Sequence, residues 1–594
     1  MTPTAAAFRH AQLTRFLAVG SLLGLIVLSL AWELWLAPLR PGGSWLVLKA
    51  LPLCLPLTGL LKNRMYTYRW VTLVVWLYFA EGVIRWNGDR WPSNMYAAIE
   101  VGLCLVLFAA SAMHVRWRLQ HASASNTLID SLRGIVGDAH VLTGEGLTAY
   151  ERDWRGREHG KALCVVRPAH TDEVSAVVKA CAAVGVAMVP QGGNTGLVMG
   201  STPDTSGREV IINLQRMNNL REIDVANATL TADAGCILEH LQQAADGAGF
   251  LFALSLASEG SCTLGGNLAS NAGGTQVLRY GNTRDLCLGL EVVTPQGDVW
   301  RGLSGLRKDN TGYDLRHLFI GSEGTLGIIT AATMKLFPKP AAQRTAWAAV
   351  PSVQSAIELL GLAQQQLGAG LTGFEMMAHT ALSLVAKHYP ALQVPLWQDA
   401  PYCVMLELSD TESESHAEQR LEQLLSQAID KEVATDVVIA QSLQQSRELW
   451  QVRESISSAQ AAEGLNIKHD ISLPVSAIAA FVAQTDAALA NALSGIRVVN
   501  FGHLGDGNLH YNIQCPEGTN AAQFLKTHES EVNRIVYDAV MSFGGSVSAE
   551  HGIGRLKVDS LPHYKDPVAL QLMRSIKGAL DPQNLMNPGR VLRA

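Results

Sequence analysis

Nine cysteines are spread over 594 residues, and no two of them stand in a C-x-x-C spacing. That absence argues against a Cys-ligated zinc or an iron–sulfur cluster and fits a reducing compartment. A basic excess is missing too: the net charge is −6, with no concentration of Lys and Arg suited to nucleic acid. No solenoid-type repeat or low-complexity tract interrupts the chain. The first apolar run lacks a small-residue cleavage pattern behind it, so a removed signal peptide is not indicated. A dinucleotide fingerprint in its proper setting is also lacking. G-x-G-x-x-G occurs at Gly368–Gly373, but the helical run Ile357–Leu367 precedes it, where a strand is required.

The chain is too long for one core, and its composition changes near residue 118. Four apolar runs come first, Phe16–Leu36, Ser44–Leu61, Tyr68–Ile84 and Tyr96–His114, each about long enough to cross a bilayer as a helix. Trp32, Trp35, Trp45, Trp70, Trp86 and Trp91 lie toward the run ends, as interfacial aromatics do. Glu33, Lys49, Glu81 and Glu100 blemish the runs and are expected to snorkel to water rather than mark a transport path. Arg9, Arg15, Lys62, Arg64, Arg69, Arg116 and Arg118 fall on one side, and Arg40, Arg85 and Arg90 on the other. The richer side is cytoplasmic, so the expectation is a multi-pass inner-membrane protein in contact with lipid, its soluble part in the cytoplasm.

Residues 1–118 then form an all-α transmembrane bundle, and 119–127, rich in Ala, Ser and Asn around His121–Thr127, form a linker. Beyond it the pattern is α+β. Strands are predicted at Leu163–Arg167, Val186–Pro190, Val210–Leu214, Thr229–Ala232, Gly289–Thr294, Asp298–Arg301 and Gly327–Leu336, with a helix over Thr171–Val184 capped by Thr171. After residue 340, helices are predicted at Val353–Leu367, Ser415–Ala428, Val475–Leu493 and Pro567–Leu580, and strands at Tyr402–Leu408 and Ile496–Phe501. Three glycine-rich loops adjoin strands: Pro190–Gly196, Gly260–Gly274 and Gly321–Gly327. Glycines let successive N–H groups converge into a nest for phosphate oxygens, and three such loops favour a pyrophosphate-bearing cofactor.

Two histidines bracket the segment HLGDGNLH, His503 and His510, and Glu550–His551 follows about forty residues on. A hairpin about Gly505-Asp506-Gly507 sets the two imidazoles opposite one another on one face. With Glu550 they make a three-ligand set suited to Zn, Mn or Fe(II), leaving positions open for substrate. A glycine-rich turn with two incidental histidines is the plain alternative. Farther upstream, Arg453 and Ser457 share one helical face and are placed to grip a carboxylate, with Lys468 as a second cation on a nearby strand. Solvated surface charges are the alternative there.

PQGGNTGLVMG, GSCTLGGNLASNAGG, RKDNTGYDLRHLFIGSEGTLGIIT, HLGDGNLH, EHGIG and NPGR stand in one order. By these motifs residues 128–594 resemble the FAD-linked oxidases of the vanillyl-alcohol oxidase/p-cresol methylhydroxylase (PCMH) superfamily, and within it the D-2-hydroxy-acid dehydrogenases. The resemblance implies a PCMH-type FAD-binding domain at 128–340, an α/β substrate (cap) domain at 341–545, and a C-terminal segment at 546–594 with a return helix. Pro190, Gly192, Gly193, Asn194, Thr195 and Gly196 would hold the FAD pyrophosphate, with Gly260, Ser261, Gly265, Asn267, Gly273 and Asn587 serving the same cofactor. Gly324 and Ile329 would approach its flavin and adenine ends. Members with tethered flavin carry His or Cys where Asn194 stands, so the FAD is expected to be noncovalent. The N-terminal segment is similar to a small bacterial four-span membrane family of no established function.

The implied activity is oxidation of a D-2-hydroxy acid. Similarity to D-2-hydroxyglutarate dehydrogenases, which carry Arg, Thr and Lys at the spacings of Arg453, Ser457 and Lys468, puts D-2-hydroxyglutarate first, with D-lactate or glycolate as the alternative. A divalent metal would acidify the α-hydroxyl, His551 would take its proton, hydride would pass to the flavin, and Asn512 would add a substrate hydrogen bond. His551 is read with an unperturbed pKa near 6.5. Electrons would leave for an external acceptor, a quinone or an electron-transfer flavoprotein. A membrane transporter or redox sensor whose flavin domain no longer turns over is the reading from another class.

Overall fold

The computed structural model describes residues 3–38, 43 and 45–593, so Arg40 and Ser44, used above for orientation and for the start of the second run, lie outside the described residues. The chain divides into two compact units, one comprising Met1–Gly134 and Ala180–Val186, the other Ile135–Lys179 and Ala187–Ala594.

In the N-terminal unit a helix over Pro3–Ala31 continues as a π-helical turn at Trp32–Leu36. Helices at Met65–Gly88 and Ser93–Val136 follow. The second apolar run is not one helix. It is a shorter helical stretch, Trp45–Leu61, made of a 3-10 turn at Trp45–Lys49 and α-helical turns at Ala50–Cys54 and Leu57–Leu61, with Pro56, which lacks an N–H donor, at the interruption. The linker expected at 119–127 is also corrected: the Ser93–Val136 helix runs through it, since an Ala- and Ser-containing stretch without Gly or Pro offers nothing to stop a helix. Outward positions carry Leu17, Leu23, Val27, Leu73, Leu77 and Ile84, all exposed. The interior holds Trp32 and Tyr68, both at 0 % exposure, so Trp32 is not an interfacial residue. The charged blemishes do not snorkel. Glu33, Lys49, Glu81 and Glu100 converge with Arg85 into one ionic cluster, Lys49 Nζ lying 2.6 Å from Glu81 and 3.6 Å from Glu100.

Three described helices are long and apolar enough to cross a membrane: Gln12–Leu36, Ser93–Val136 and Val475–Ala492. The last belongs instead to the core of the second unit, where Ile478, Phe481, Val482 and Leu489 pack inward.

In the second unit a four-stranded sheet takes the spatial order Val141–Leu142, Ala162–Val166, Glu209–Asn213, Met188–Gln191. Its last three strands are parallel. The helix Thr171–Ala183 crosses between them. Thr171 is its first helical residue rather than its cap, its hydroxyl donating to Glu291 at 2.6 Å. A five-stranded antiparallel sheet follows, built on Thr229–Asp233, Ile328–Lys335 and Cys287–Val293.

The third sheet has eight strands. Ala342–Val350, Tyr402–Asp410 and Leu371–Ala378 lie next to the hairpin Arg497–His503/Asn508–Gln514, and the short strands Asn466–Ile467 and Asp470–Ser472 pair with that hairpin's far side. Helices such as Val353–Leu367 and Ala521–Ser542 cover it. The chain end returns across the unit: after the helix Pro567–Leu580, Leu585 and Asn587 bond the backbone of Met188 at 2.8 Å each.

Candidate active site

The first two glycine loops are glycine-rich because they touch. A Cβ on Gly192 would lie 2.2 Å from Thr263 Oγ1, and one on Gly193 would lie 2.0 Å from the Ser261 carbonyl. Asn194 turns the first loop with a positive φ of 55° and is held by Arg152 O and Ser201 Oγ at 2.9 and 2.8 Å. The backbone N–H groups of Gly193, Asn194, Thr195 and Gly196 take no partner among the described residues, a ready cradle for phosphate oxygens. Above them opens a cleft of about 970 Å³, counted with its mouth. Its walls include Pro190, Gly192–Gly196, Gly265, Asn267, Gly324 and Ile329 from the expected set, and His551.

The remaining expected cofactor residues sit differently. Gly260 and Ser261 line a neighbouring cavity with Gly193 and Cys236. Asn587 ties loops together, its amide donating to Gly200 O and Glu323 O at 2.9 and 2.8 Å. Gly273 faces Glu550, whose Oε1 would be 2.3 Å from a Cβ there and accepts from Gly274 N at 2.6 Å. That contact brings the second glycine loop against the expected metal ligand.

The two histidines of the hairpin are diagonal, not opposite: His503 pairs with Asn508, and His510 with Phe501. Because 501 and 503 share a strand face, the imidazoles still meet, with ring centroids 5.6 Å apart. Ligand atoms of His503, His510 and Glu550 lie within 4.8 Å of one another, as do those of Asp470, His510 and His551. Two imidazoles with one or two carboxylates fit a divalent cation by donor type.

Two acids missed by sequence reasoning organise this cluster. Glu375, in the apolar strand Leu371–Ala378, is 1 % exposed and bridges His503 Nδ1 at 2.6 Å and Arg453 Nε at 2.7 Å. Burial alone would raise its pKa, but Arg453 and His503 outweigh that and bring it down to about 2. With Nδ1 occupied, His503 presents Nε2 as ligand atom. Burial works against its imidazolium, yet Glu375 lifts its pKa to about 9, so a cation must displace a proton there. Asp470 accepts from the backbone N of Glu550 and of His551, both at 2.8 Å, and lies 3.8 Å from the Nδ1 atoms of His510 and His551. Burial raises the pKa of Glu550 to about 7, with His503 opposing.

His551 differs from the expectation of an unshifted imidazole. Burial, helped by Lys557, Lys468 and Arg155, lowers its pKa to about 4 against the pull of Asp470, which leaves the ring neutral at neutral pH but a weaker base than a free imidazole. Lys468 lies not within a strand but at the break between Asn466–Ile467 and Asp470–Ser472, and burial with Arg155 lowers its pKa to about 8. Arg155 is a further cation sequence reasoning overlooked, anchored at 3.3 Å to Asn466 O. Arg453 is buried on the Leu443–Glu463 helix, its guanidinium 5.0 Å above Phe501, while Ser457, one turn on, is exposed. Asn512 is committed to the framework: its carbonyl accepts from His469 N at 3.1 Å and its amide donates to Gln460 at 3.0 Å. It therefore fixes the segment that carries Lys468.

Residues 162–302 match the family described as FAD binding domain, 339–591 that described as FAD linked oxidases, C-terminal domain, and 17–119 that described as predicted membrane protein (DUF2069). The chain is 38% identical over 465 residues to D-2-hydroxyglutarate dehydrogenase, mitochondrial, of Arabidopsis thaliana, covering 78% of this chain and 81% of that one. It is 39% identical over 445 residues to D-2-hydroxyglutarate dehydrogenase of Xanthomonas citri pv. viticola, covering 75% and 92%. The chain belongs to the FAD-linked D-2-hydroxy-acid dehydrogenase family. p-Cresol methylhydroxylase with substrate bound shares the fold at 17% identity, with a TM-score of 0.65 over 79% of this chain and 97% of that one. The chain is thus an FAD-linked oxidoreductase with an added membrane-type domain. The first two expected loops fall within the residues matched to the FAD binding domain and the third, Gly321–Gly327, falls outside them; Glu550 of the His/Glu cluster adjoins the second loop at Gly273 and Gly274.

Proposed function

We propose that this dehydrogenase oxidises D-2-hydroxyglutarate to the 2-oxo acid with a divalent cation held by His503, His510 and Glu550. One observation carries the reading: His551 lines the glycine-walled cleft while its ring lies 6.1 Å from that of His510, so cofactor cleft and donor cluster share a wall. Bound in the cleft, FAD supplies the hydride acceptor. Bound to the donor cluster, a divalent cation supplies Lewis acidity toward the α-hydroxyl. Arg453 and Ser457 orient one substrate carboxylate and Lys468 meets the other. Asp470 faces His551 Nδ1, which leaves Nε2 to take the hydroxyl proton. Arg155 and Lys468 both act on His551 electrostatically, and neither forms a direct ion pair with a carboxylate among the described residues, although Glu529 and Asp153 lie near enough to Arg155 to favour its charge; two such cations favour a dicarboxylate over lactate or glycolate. The catalytic part works in the cytoplasm beside the membrane and passes electrons to a quinone or an electron-transfer flavoprotein.

Steady-state rates on D-2-hydroxyglutarate and D-lactate test this in wild type and Lys468→Ala. Losing a charge-assisted contact costs about 1.5–3 kcal/mol, so KM for the dicarboxylate rises about ten- to a hundredfold while D-lactate kinetics change little. Equal losses on both acids, or faster wild-type turnover of D-lactate, would favour the monocarboxylate reading.

A further inference from the structure

The N-terminal unit encloses charge that catalysis does not use. Glu33 at 0 % exposure, Glu100 at 1 % and Arg85 at 8 % meet Lys49, Glu81 and Asp89 inside the bundle. Lys49 Nζ lies 2.6 Å from Glu81, 3.6 Å from Glu100 and 3.8 Å from Glu33. Arg85 bonds Glu33, reaches Asp89 at 3.0 Å and stacks 3.9 Å over Trp32. Four carboxylates against two cations leave two negative charges unmatched when all are ionised. The deficit falls on Glu100, because neither of its carboxylate oxygens has a hydrogen-bond partner among the described residues. Oε2 lies in the close approach of two helices, 3.4 Å from where a Cβ on Gly82 would stand.

We propose that Glu100 is a proton-binding group inside the N-terminal bundle and that this unit moves protons through it, an inference that rests on reading the unit as a membrane domain. A buried carboxylate whose oxygens lack hydrogen bonds, and whose cation neighbour Lys49 at 3.6 Å is shared with Glu81 and Glu33, is costly, and adding a proton removes the charge. A metal cation fits less well, since Lys49 and Arg85 already occupy the space between the acids. The groups facing Glu100 are Glu33, Lys49, Glu81 and Arg85, with Tyr78 bonding the Lys49 carbonyl at 2.7 Å and Cys104 one turn along its own helix. The same helix carries further polar side chains toward its other end, interrupted by buried Leu107 and Ala110 between Cys104 and Ser111. Glu100, Cys104, Ser111 and His114 recur on one face, each at 1 % exposure or less. A rise of 1.5 Å per residue separates Glu100 from His114 by about 21 Å along the axis. His114 closes the far end, bonded to Asn63 at 2.9 Å and Thr14 at 3.2 Å and stacked on Tyr68 at 4.1 Å. Glu100 would take a proton at a carboxylate oxygen from one side, and its exit toward His114 would have to cross the apolar stretch at Leu107 and Ala110.

Full-length protein in liposomes carrying an internal pH dye tests this under a potassium diffusion potential. Wild type should acidify the lumen, and Glu100→Gln should slow that by roughly an order of magnitude while turnover with a soluble acceptor is unchanged. Glu100→Asp should restore part of the flux. Infrared difference spectra between acid and alkaline buffer should show a protonated-carboxyl band that Glu100→Gln removes. Equal dye responses in wild type and Glu100→Gln, or a response that follows sodium rather than pH, would overturn the proposal while leaving the membrane reading intact. Failure of the protein to float with the liposomes would overturn that reading and this proposal together.

Discussion

Glu375 joins the two halves of the chemistry in one side chain. Its oxygens reach His503 and Arg453 across 128 and 78 residues of chain, so one carboxylate orients both the proposed cation ligand and the guanidinium proposed to bind substrate. Such outer partners typically contribute ten- to a hundredfold in metal affinity, so Glu375→Gln should lose about that much divalent cation by elemental analysis after dialysis; retention equal to wild type would show the bridge to be merely structural. Lys468 gives a pH signature. Burial first, and Arg155 second, lower it to about 8, so the ammonium proposed to bind a substrate carboxylate is lost as pH rises through that value. KM for a dicarboxylate should therefore climb above pH about 8, and Lys468→Arg should move that limb out of range, because arginine stays charged. An unmoved limb in the variant would assign it to another group. His503, His510, Glu550 and His551 were legible because short motifs carry them. Glu375 and Asp470 were not: Glu375 is a lone acid in an apolar strand, Asp470 opens a three-residue strand with no motif around it, and only the folded sheet reveals their partners.

Elements set how finely those side chains are aimed. Between the histidines the hairpin turns through Leu504–Asp506 into Gly507, whose φ is +83°. A Cβ at Gly507 would also lie 2.2 Å from the Leu473 carbonyl, a backbone atom with little freedom to move. Gly507→Ala should cost about 1–3 kcal/mol by urea unfolding and release bound metal, whereas an unchanged midpoint would show that the turn adapts. Helices with a clear apolar period, Val353–Leu367 and Pro567–Leu580, were readable to the residue. The strands Ala342–Val350 and Leu371–Ala378 were overlooked because burial on both faces erases the alternation that marks a strand. Pro56 split one expected span, and an Ala/Ser stretch expected to be a linker continued a helix, each a local effect that average hydrophobicity does not register.

At the scale of the molecule, two surface chemistries are joined in one chain. Leu17, Val27, Leu73 and Ile84 face outward on the N-terminal unit, with charge enclosed, while the catalytic unit buries its apolar residues beneath sheets and covering helices. The full chain should stay with the membrane pellet through an alkaline carbonate wash; release into the supernatant would reduce the N-terminal unit to a peripheral contact. Its apolar runs were plain in the sequence, but the meeting of Glu33, Lys49, Arg85 and Glu100 was not, since they come from separate helices. The central claim, a cation-dependent hydroxy-acid site opening on the flavin, is tested most directly by anaerobic flavin absorbance. Purified full-length protein titrated with D-2-hydroxyglutarate should bleach, stop bleaching after chelation, and recover with added Zn, Mn or Fe(II). Bleaching indifferent to chelator and metal alike, or no bleaching with any 2-hydroxy acid, would contradict it.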